Sequence, residues 1–254
     1  MSLFEAVAIL LAGVAAGTIN TVVGSGTLIT FPTLLAFGIP PVTANVSNTI
    51  GLVPGSISGA IGYRRELVGQ RSRVLRLSVA SLVGGLTGAV LLLVLPDDAF
   101  AAIVPVLILL GCVLVVLQPR ISAWVAARHD AAGGLPHHGA WWVWPGVLLT
   151  GVYGGYFGAA QGVLLMAVLG IGVDESLQRL NAVKIVLAAI VNGVAGLVFI
   201  AVAEVDWRVV ALIAVGSVVG AQVGATVGRR LPGGVLRVVI VVVGVVALVS
   251  FLLG

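Results

Sequence analysis

Charged residues are scarce in this chain. Of its 254 residues only 9% are charged, whereas 60% are hydrophobic, and a soluble domain of this length usually carries about 25% charged residues. So few charges cannot cover a water-facing surface of this size, which excludes a soluble globular domain. Lipid must be the solvent for much of the chain, and the composition therefore predicts an all-α polytopic membrane protein.

Cysteine and histidine are also scarce, and so are acidic residues inside the apolar segments. Cys112 is the only cysteine, which excludes disulfides and cysteine-ligated metal clusters. The three histidines fall in one polar stretch, and every Asp and Glu lies at the end of an apolar segment or in a loop, so we predict no metal, no cofactor and no buried carboxylate relay. No HExxH or GxSxG motif is present, which argues against an intramembrane enzyme. The net charge of +4 fits anionic lipid headgroups better than nucleic acid.

Long apolar runs fill the rest of the sequence. The predicted segments are 4–23, 26–37, 43–62, 77–95, 99–118, 141–157, 161–172, 178–203, 207–228 and 235–253. The first is interpreted as a retained helix, because a cleaved signal peptide has a basic start and this chain has only Glu5 there. Segments 26–37 and 161–172 are too short to cross a bilayer and each follows a glycine-rich break, so each is a half-helix or a re-entrant hairpin.

The sequence repeats itself. Gly84, Gly88 and Ala89 recur in the same spacing as Gly220, Gly224 and Ala225, Asn45 recurs as Asn181, and Gly13, Gly17 and Gly24 recur as Gly151, Gly155 and Gly162. We therefore divide the chain into a first transmembrane repeat (1–118), a cytoplasmic linker (119–140) and a second transmembrane repeat (141–254). Each repeat has a broken or re-entrant helix pair followed by three transmembrane helices.

Loop charges predict how the repeats are oriented. Loop 63–76 carries five arginines and loop 229–234 carries Arg229 and Arg230, which places both inside, whereas the acidic loops 96–98 and 204–206 can face out. Equivalent loops thus change sides, which predicts two inverted-topology repeats with both termini outside, in a bacterial cytoplasmic membrane. Inverted repeats are typical of transporters. A duplicated helical bundle without a transport role is the alternative.

Lys184 is the only lysine, and it lies within the apolar segment 178–203. A cation in such a segment costs about 2.5–3.5 kcal/mol on insertion scales and is a functional candidate by default. On a helix, Asn181, Ala188 and Asn192 share its face. The alternative is that the side chain extends back to the lipid headgroups, because the residue is close to the start of the segment.

The equivalent segment of the first repeat has a similar polar face. Asn45, Asn48 and Ser56 lie on it, and Asn48 and Ser56 are the counterparts of Lys184 and Asn192. Hydrogen bonds between helices would explain these side chains equally well. If the two faces oppose each other, they form two walls of one site.

The breaks add further polar groups. Asn20 and Ser25 lie in the first break, and Gln161 lies in the second. A helix that begins inside the membrane presents free N–H groups and a partial positive charge, both of which favour an anion. Close helix packing is the other reason for glycines at these positions.

Taken together, these motifs resemble the TauE/SafE family of sulfite exporters and related anion permeases over nearly the whole chain. The resemblance rests on 17–32, 38–40, 44–48, 151–162, 181–184 with Asn192, and 205–208. It implies export or uptake of sulfite, sulfonates or other small organic anions. Family members commonly have a lysine and an asparagine at the places of Lys184 and Asn192.

We therefore predict a secondary transporter for a small anion that works in the lipid bilayer. It needs no cofactor and binds no nucleic acid, and a homo-oligomer is a possible assembly. The predicted substrate-binding residues are Lys184, Asn181, Asn192, Asn45, Asn48, Ser56, Asn20, Ser25 and Gln161. A passive anion channel on the same fold is the first alternative. An intramembrane enzyme is the second.

Overall fold

The computed structural model describes residues 1–131, 139–226 and 233–253, and within these ranges the chain is entirely helical apart from its connections. The helices are α1 (Leu3–Val22), α2 (Thr27–Ala36), α3 (Pro41–Gly62), α4 (Arg71–Val94), α5 (Asp97–Ala131), α6 (Val143–Tyr156), α7 (Gln161–Gly172), α8 (Leu177–Val202), α9 (Trp207–Thr226) and α10 (Gly233–Leu253). The all-α fold class is confirmed.

Five helices in the described ranges are long and apolar enough to cross a bilayer: α1, α4, residues 98–124 of α5, α8 and α9. The two shorter helices that follow the breaks, α2 and α7, have 10 and 12 residues. Many large apolar side chains are exposed along the outer helices, as expected where lipid surrounds the protein. The chain is a multi-pass membrane protein.

Two helices are longer than the sequence predicts. α4 begins at Arg71, so three arginines of the predicted loop 63–76 belong to its first turns. α5 continues to Ala131, through the first part of the predicted linker, because residues 120–131 contain no glycine or proline to end it. His137 and His138 of the linker, and Arg229 and Arg230 of the predicted inside loop, lie outside the described residues.

Local signals start α1 and α9 at defined residues. Ser2 and Glu5 form a capping box at α1: the Ser2 hydroxyl accepts from the Glu5 N–H at 3.2 Å, and the Glu5 carboxylate accepts from the Ser2 N–H at 2.9 Å. Asp206 starts α9, because its carboxylate accepts from the backbone N–H groups of Arg208 and Val209 at 3.0 and 3.2 Å. These acids at helix ends therefore satisfy backbone donors.

The two halves of the chain interlock. α1 packs along α9, and α6 packs in the same way along α4, so the first helix of each half lies against the fourth helix of the other. α2 likewise contacts α10, and α7 contacts α5. α3 and α8 contact each other at the centre. A repeat relation would produce matched pairs of this kind. The two repeats, and their opposite orientation across a bilayer, stay predictions.

Glycines allow the closest of these approaches. A Cβ on Gly220 of α9 would overlap the carbonyl oxygen of Val14 on α1, and a Cβ on Gly88 of α4 would overlap the carbonyl oxygen of Val152 on α6. Small residues at helix contacts let backbones pack closely, which is a main source of helix association in lipid. The repeated glycines thus bring the two equivalent helix pairs together.

Candidate functional site

The two helix breaks meet at the centre of the protein. The first covers residues 23–26, between α1 and α2, and the second covers residues 157–160, between α6 and α7. The backbone N–H of Gly162 donates to the carbonyl oxygen of Gly24 at 3.0 Å. Each of these glycines lies so close to the other that a Cβ on either would overlap its partner's Cα, and Gly24 also has a φ of +94°. Only glycine fits this junction without strain.

Different side chains hold the two breaks in shape. In the first, the Asn20 side-chain oxygen accepts from the Gly26 N–H at 2.7 Å, directly before α2 begins. In the second, the Tyr153 hydroxyl donates to the Ala159 carbonyl oxygen, and Ala160 takes a left-handed conformation with a φ of 60°. These contacts satisfy backbone groups that the broken helices leave without helical partners.

A small cavity lies where the breaks meet α3, α8 and α9. Its lining residues are Gly17, Asn20, Thr21, Gly24, Thr27, Leu52, Gly55, Ser56, Gly158, Gln161, Gly162, Lys184, Ile185, Ala188, Asn192 and Ser217. Its volume is about 30 Å³, on the measure by which one water needs about 10–15 Å³. It therefore holds roughly two or three waters or a solute of a few heavy atoms.

Both halves contribute to this lining at matching repeat positions. Gly24 and Gly162 both line the cavity, as do the counterparts Ser56 and Asn192. The cavity is therefore built on the junction between the halves. In transporters built from two repeats, the substrate site typically lies at the interface between the repeats.

Among the residues that the structure describes, Lys184 is the one titratable residue in this lining, and its side chain is only 1% exposed. Its Nζ donates to the carbonyl oxygen of Asn20 at 3.3 Å. No carboxylate pairs with it among the residues that the structure describes. The side chain therefore points into the protein and does not extend to the lipid headgroups.

Three other predicted site residues lining the cavity have side-chain groups free for a ligand. Gln161 is 4% exposed, and its amide nitrogen is buried without a hydrogen-bond acceptor. A Cβ on Gly154 would overlap this amide, so the glycine leaves room for it. Asn192 makes no side-chain hydrogen bond within the described ranges. Ser56 donates to its own helix, to Leu52, at 3.0 Å, and its oxygen can still accept. Asn20, which also lines the cavity, uses its side-chain oxygen to cap α2.

Four predicted site residues are not part of the lining. Asn48 bonds to the hydroxyls of Thr27 and Thr30 on α2. Asn181 donates to the Thr21 carbonyl oxygen at 3.1 Å, and Asn45 donates to the Tyr156 carbonyl oxygen at 2.9 Å. Ser25 is buried, with a hydroxyl that lacks a partner in the described structure. The three asparagines therefore hold neighbouring segments in place beside the cavity.

Sequence reasoning did not choose three polar residues that do line the cavity: Thr21, Thr27 and Ser217. The first two lie in the polar run around the first break, which was a usable signal. Ser217 donates to the Gly51 carbonyl oxygen at 3.1 Å. In the sequence, Ser81 and Ser217 are separated by the same spacing as Gly84 and Gly220, which was a usable signal.

A separate charged cluster joins the start of α4 to the start of α8. Arg73, only 5% exposed, pairs with Glu175 at 3.3 Å, and Arg179 pairs with the same carboxylate at 2.9 Å. Partial burial would raise the pKa of Glu175, but hydrogen bonds from the Ser176 N–H and from the two arginines outweigh it and hold that pKa below its ordinary value. These charges are paired, in contrast to Lys184.

The sequence of the chain matches a known protein family. A family model described as sulfite exporter TauE/SafE matches residues 9–251. The chain belongs to the TauE/SafE sulfite exporter family. This is a family of membrane transporters, and the apolar helices of the chain fit transmembrane segments.

Bacterial relatives of this TauE/SafE chain carry transporter names. It is 28% identical to the probable membrane transporter protein YfcA of Escherichia coli (strain K12), over 91% of this chain and 83% of the relative. It is 28% identical to the probable membrane transporter protein ORF9 of Sinorhizobium sp, over 93% of this chain and 88% of the relative. No solved structure gives a significant match.

Proposed function

We propose that this TauE/SafE family member is a secondary transporter that carries a small anion, sulfite or an organosulfonate, through the cavity at the junction of the two breaks. The observation that carries the proposal is the buried amine of Lys184, which faces the cavity without a carboxylate partner in the described structure. An unpaired buried cation is strongly unfavourable unless a bound anion supplies the opposite charge.

The other groups at the cavity also suit an anion. The amides of Gln161 and Asn192 offer N–H donors. α2 and α7 both begin at the cavity, at Thr27 and Gln161, and helix N-termini carry a partial positive charge that favours anions. No Asp or Glu is among the lining residues in the described part of the chain, so a metal cation would find no carboxylate ligand there.

The substrate class rests on the family description, which is that of sulfite exporters, and on the size of the cavity. Space for a few heavy atoms suits sulfite or methanesulfonate better than a bulky organic anion. Larger sulfonates would need the cavity to widen.

The proposed cycle uses the matched contacts of the two halves. Rocking of one half against the other would expose the cavity alternately to each side of a bacterial cytoplasmic membrane. The contacts of α1 with α9 and of α6 with α4 give both halves an interface of the same kind. Both termini are proposed to face out, with residues 63–76 inside.

Sulfite flux into proteoliposomes tests the proposal, with a thermal-shift screen of sulfite, methanesulfonate, sulfate and choline on the purified protein. We expect the anions to raise the unfolding temperature and the cation choline to leave it unchanged. Lys184→Met should lower the affinity for sulfite by more than tenfold, since it removes the cation at the cavity. Arg65→Met is the matched control, because Arg65 is exposed and remote from the cavity lining. Wild-type flux in the Lys184→Met variant would contradict the proposal.

Counterflow separates a transporter from a passive channel. Unlabelled sulfite on one side should accelerate uptake of labelled sulfite from the other, because a carrier returns faster when it is loaded. Uptake that shows neither saturation nor counterflow would identify a channel.

A further inference from the structure

We infer that Lys184 takes up a proton together with the anion, so that the cavity binds an anion and a proton as a pair. The inference rests on the proposed anion transport and goes one step further, since it assigns a second solute to the site. Its basis is the chemical isolation of Lys184 among the groups that surround it.

No other titratable side chain faces the cavity in the described part of the chain. α1 contributes Asn20 and Thr21, α2 contributes Thr27, α3 contributes Leu52 and Ser56, α7 contributes Gln161, and α9 contributes Ser217. None of these side chains exchanges a proton near neutral pH. A proton that binds at this cavity therefore binds to Lys184 or to the anion itself.

The nearest charged groups on α8 are already paired. Arg179 precedes Lys184 by about 7–8 Å along the helix axis, but its guanidinium contacts Glu175 and the Val68 carbonyl oxygen. Glu175 in turn pairs with Arg73 on α4. Beside the second break, the Tyr153 hydroxyl donates to the Ala159 carbonyl oxygen and is not part of the lining. None of these groups neutralises Lys184.

The hydrogen bonding of Lys184 leaves room for a ligand. An ammonium has three N–H donors, and the structure engages one of them, with the Asn20 carbonyl oxygen at 3.3 Å. An anion in the cavity can accept from the others and supply the missing opposite charge. Because an adjacent negative charge favours the ammonium form of a lysine, anion binding promotes proton uptake. By reciprocity, proton binding strengthens anion binding to the same extent.

This pairing has a consequence for the transport cycle. On the loading side, Lys184 takes a proton from water and the anion binds to the resulting ammonium; on the other side, anion and proton leave, and the empty site returns with a neutral amine. No buried charge is then left without a partner at either step. For a monovalent anion, the loaded site carries no net charge across the membrane.

The Lys184→Arg variant distinguishes binding of the anion from binding of the proton. A guanidinium stays charged at all ordinary pH values, so this variant can bind an anion but cannot release a proton. Its empty site would return with an unpaired charge, which is unfavourable. We expect it to exchange labelled for unlabelled anion across the membrane while losing net flux.

Proton uptake is measured directly by calorimetric titration of the purified protein with methanesulfonate and with sulfate, in two buffers of different ionisation enthalpy. Neither probe takes up a proton near neutral pH, whereas sulfite does. We expect the wild type to take up as much as one proton per anion. Where uptake is complete, affinity should weaken about tenfold per pH unit as the pH rises. Lys184→Arg should bind with no proton uptake and little pH dependence.

The outcomes separate the inference from the proposed function. Anion binding by the wild type with the same heat in both buffers overturns the inference and leaves anion transport standing. Proton uptake that persists in Lys184→Arg assigns the proton elsewhere and also overturns it. If none of the anions binds, the proposed function fails, and the inference fails with it. If Lys184→Arg does not fold, the wild-type titration decides alone.

Discussion

The sequence repeat pairs Asn48 on α3 with Lys184 on α8, yet the two side chains face different surroundings. Asn48 bonds to Thr27 and Thr30 on α2 and takes no part in the cavity lining. Lys184 points into the cavity and contacts the carbonyl oxygen of Asn20. Both halves of the chain thus line the cavity, and among the described residues Lys184 of the second half is the one that brings a charge to it.

In this family member, the positions that shape the cavity and the position that carries its charge are separate. Matching positions such as Gly24 and Gly162, or Ser56 and Asn192, line the cavity in both halves. At the paired positions of Asn48 and Lys184, the asparagine stabilises the neighbouring helix and the lysine is available to a ligand.

Exchanging the two counterparts tests this directly and should have the largest effect. In a chain carrying both Asn48→Lys and Lys184→Asn, the ammonium would face α2 and not the cavity. A buried charge without a partner costs several kcal/mol, so we expect loss of sulfite flux and a lower unfolding temperature than for Lys184→Asn alone. Flux close to that of the wild type would show that the two positions are interchangeable.

The contact between the breaks should be almost as sensitive. Gly162→Ala places a Cβ against the Cα of Gly24, and overpacking of this kind costs about 1–3 kcal/mol. Gly193→Ala on α8 is the matched control, because no atom lies within 4 Å of its added Cβ, and it should leave stability unchanged or raised by about 0.5–1 kcal/mol. Unfolding temperatures in detergent measure both. Equal temperatures for the two variants would show that the breaks are not tightly packed.

Substitution of two asparagines on α8 distinguishes a residue that contacts the ligand from one that stabilises the fold. Asn192→Ala removes an amide that faces the cavity without a protein partner in the described ranges, so anion affinity should fall about tenfold, equivalent to about 1.4 kcal/mol. Asn181→Ala removes the bond to the Thr21 carbonyl oxygen, so it should lower stability by about 1 kcal/mol and change affinity less. Titration and thermal unfolding of both variants check this. The reverse pattern would place the ligand near Asn181.

The paired charges at the start of α8 should show the smallest effect. The lowered pKa of Glu175 means that its ionised form stabilises the folded state. This contribution is present above the ordinary glutamate pKa and is lost as the pH falls through the lowered one. Glu175→Gln should reduce stability by at most about 1 kcal/mol, or about 2–4 °C in unfolding temperature. The difference in unfolding temperature between the variant and the wild type should vanish at acid pH. A difference that stays the same at every pH would assign the effect to packing.

Much of the fold could be predicted because lipid imposes strong patterns. Apolar runs of sufficient length marked the helices, and glycine clusters marked both breaks. The early start of α4 was missed because its arginines suggested a loop, whereas Arg73 is buried and pairs with Glu175. That contact joins residues distant in sequence, so no local pattern could reveal it.

The site was harder to predict than the fold. Charge alone pointed to Lys184, because a lone lysine in an apolar segment is conspicuous. Asn45, Asn48 and Asn181 looked equivalent to Asn192 in sequence, and only tertiary packing shows that they bond to neighbouring segments. An asparagine amide forms the same hydrogen bonds whether it binds a ligand or a neighbouring helix. The spacing of asparagines in the sequence therefore could not distinguish ligand contacts from bonds between helices.

The exchange of first helices between the halves constrains the order in which the protein can be completed during synthesis. The glycine-bearing face of α1 enters the bilayer well before α9, the helix that covers it, has left the ribosome. A fragment that ends after α5 would leave that face against lipid and leave α4 without α6. Two half-chains expressed separately would therefore have to find each other before either could complete its own bundle.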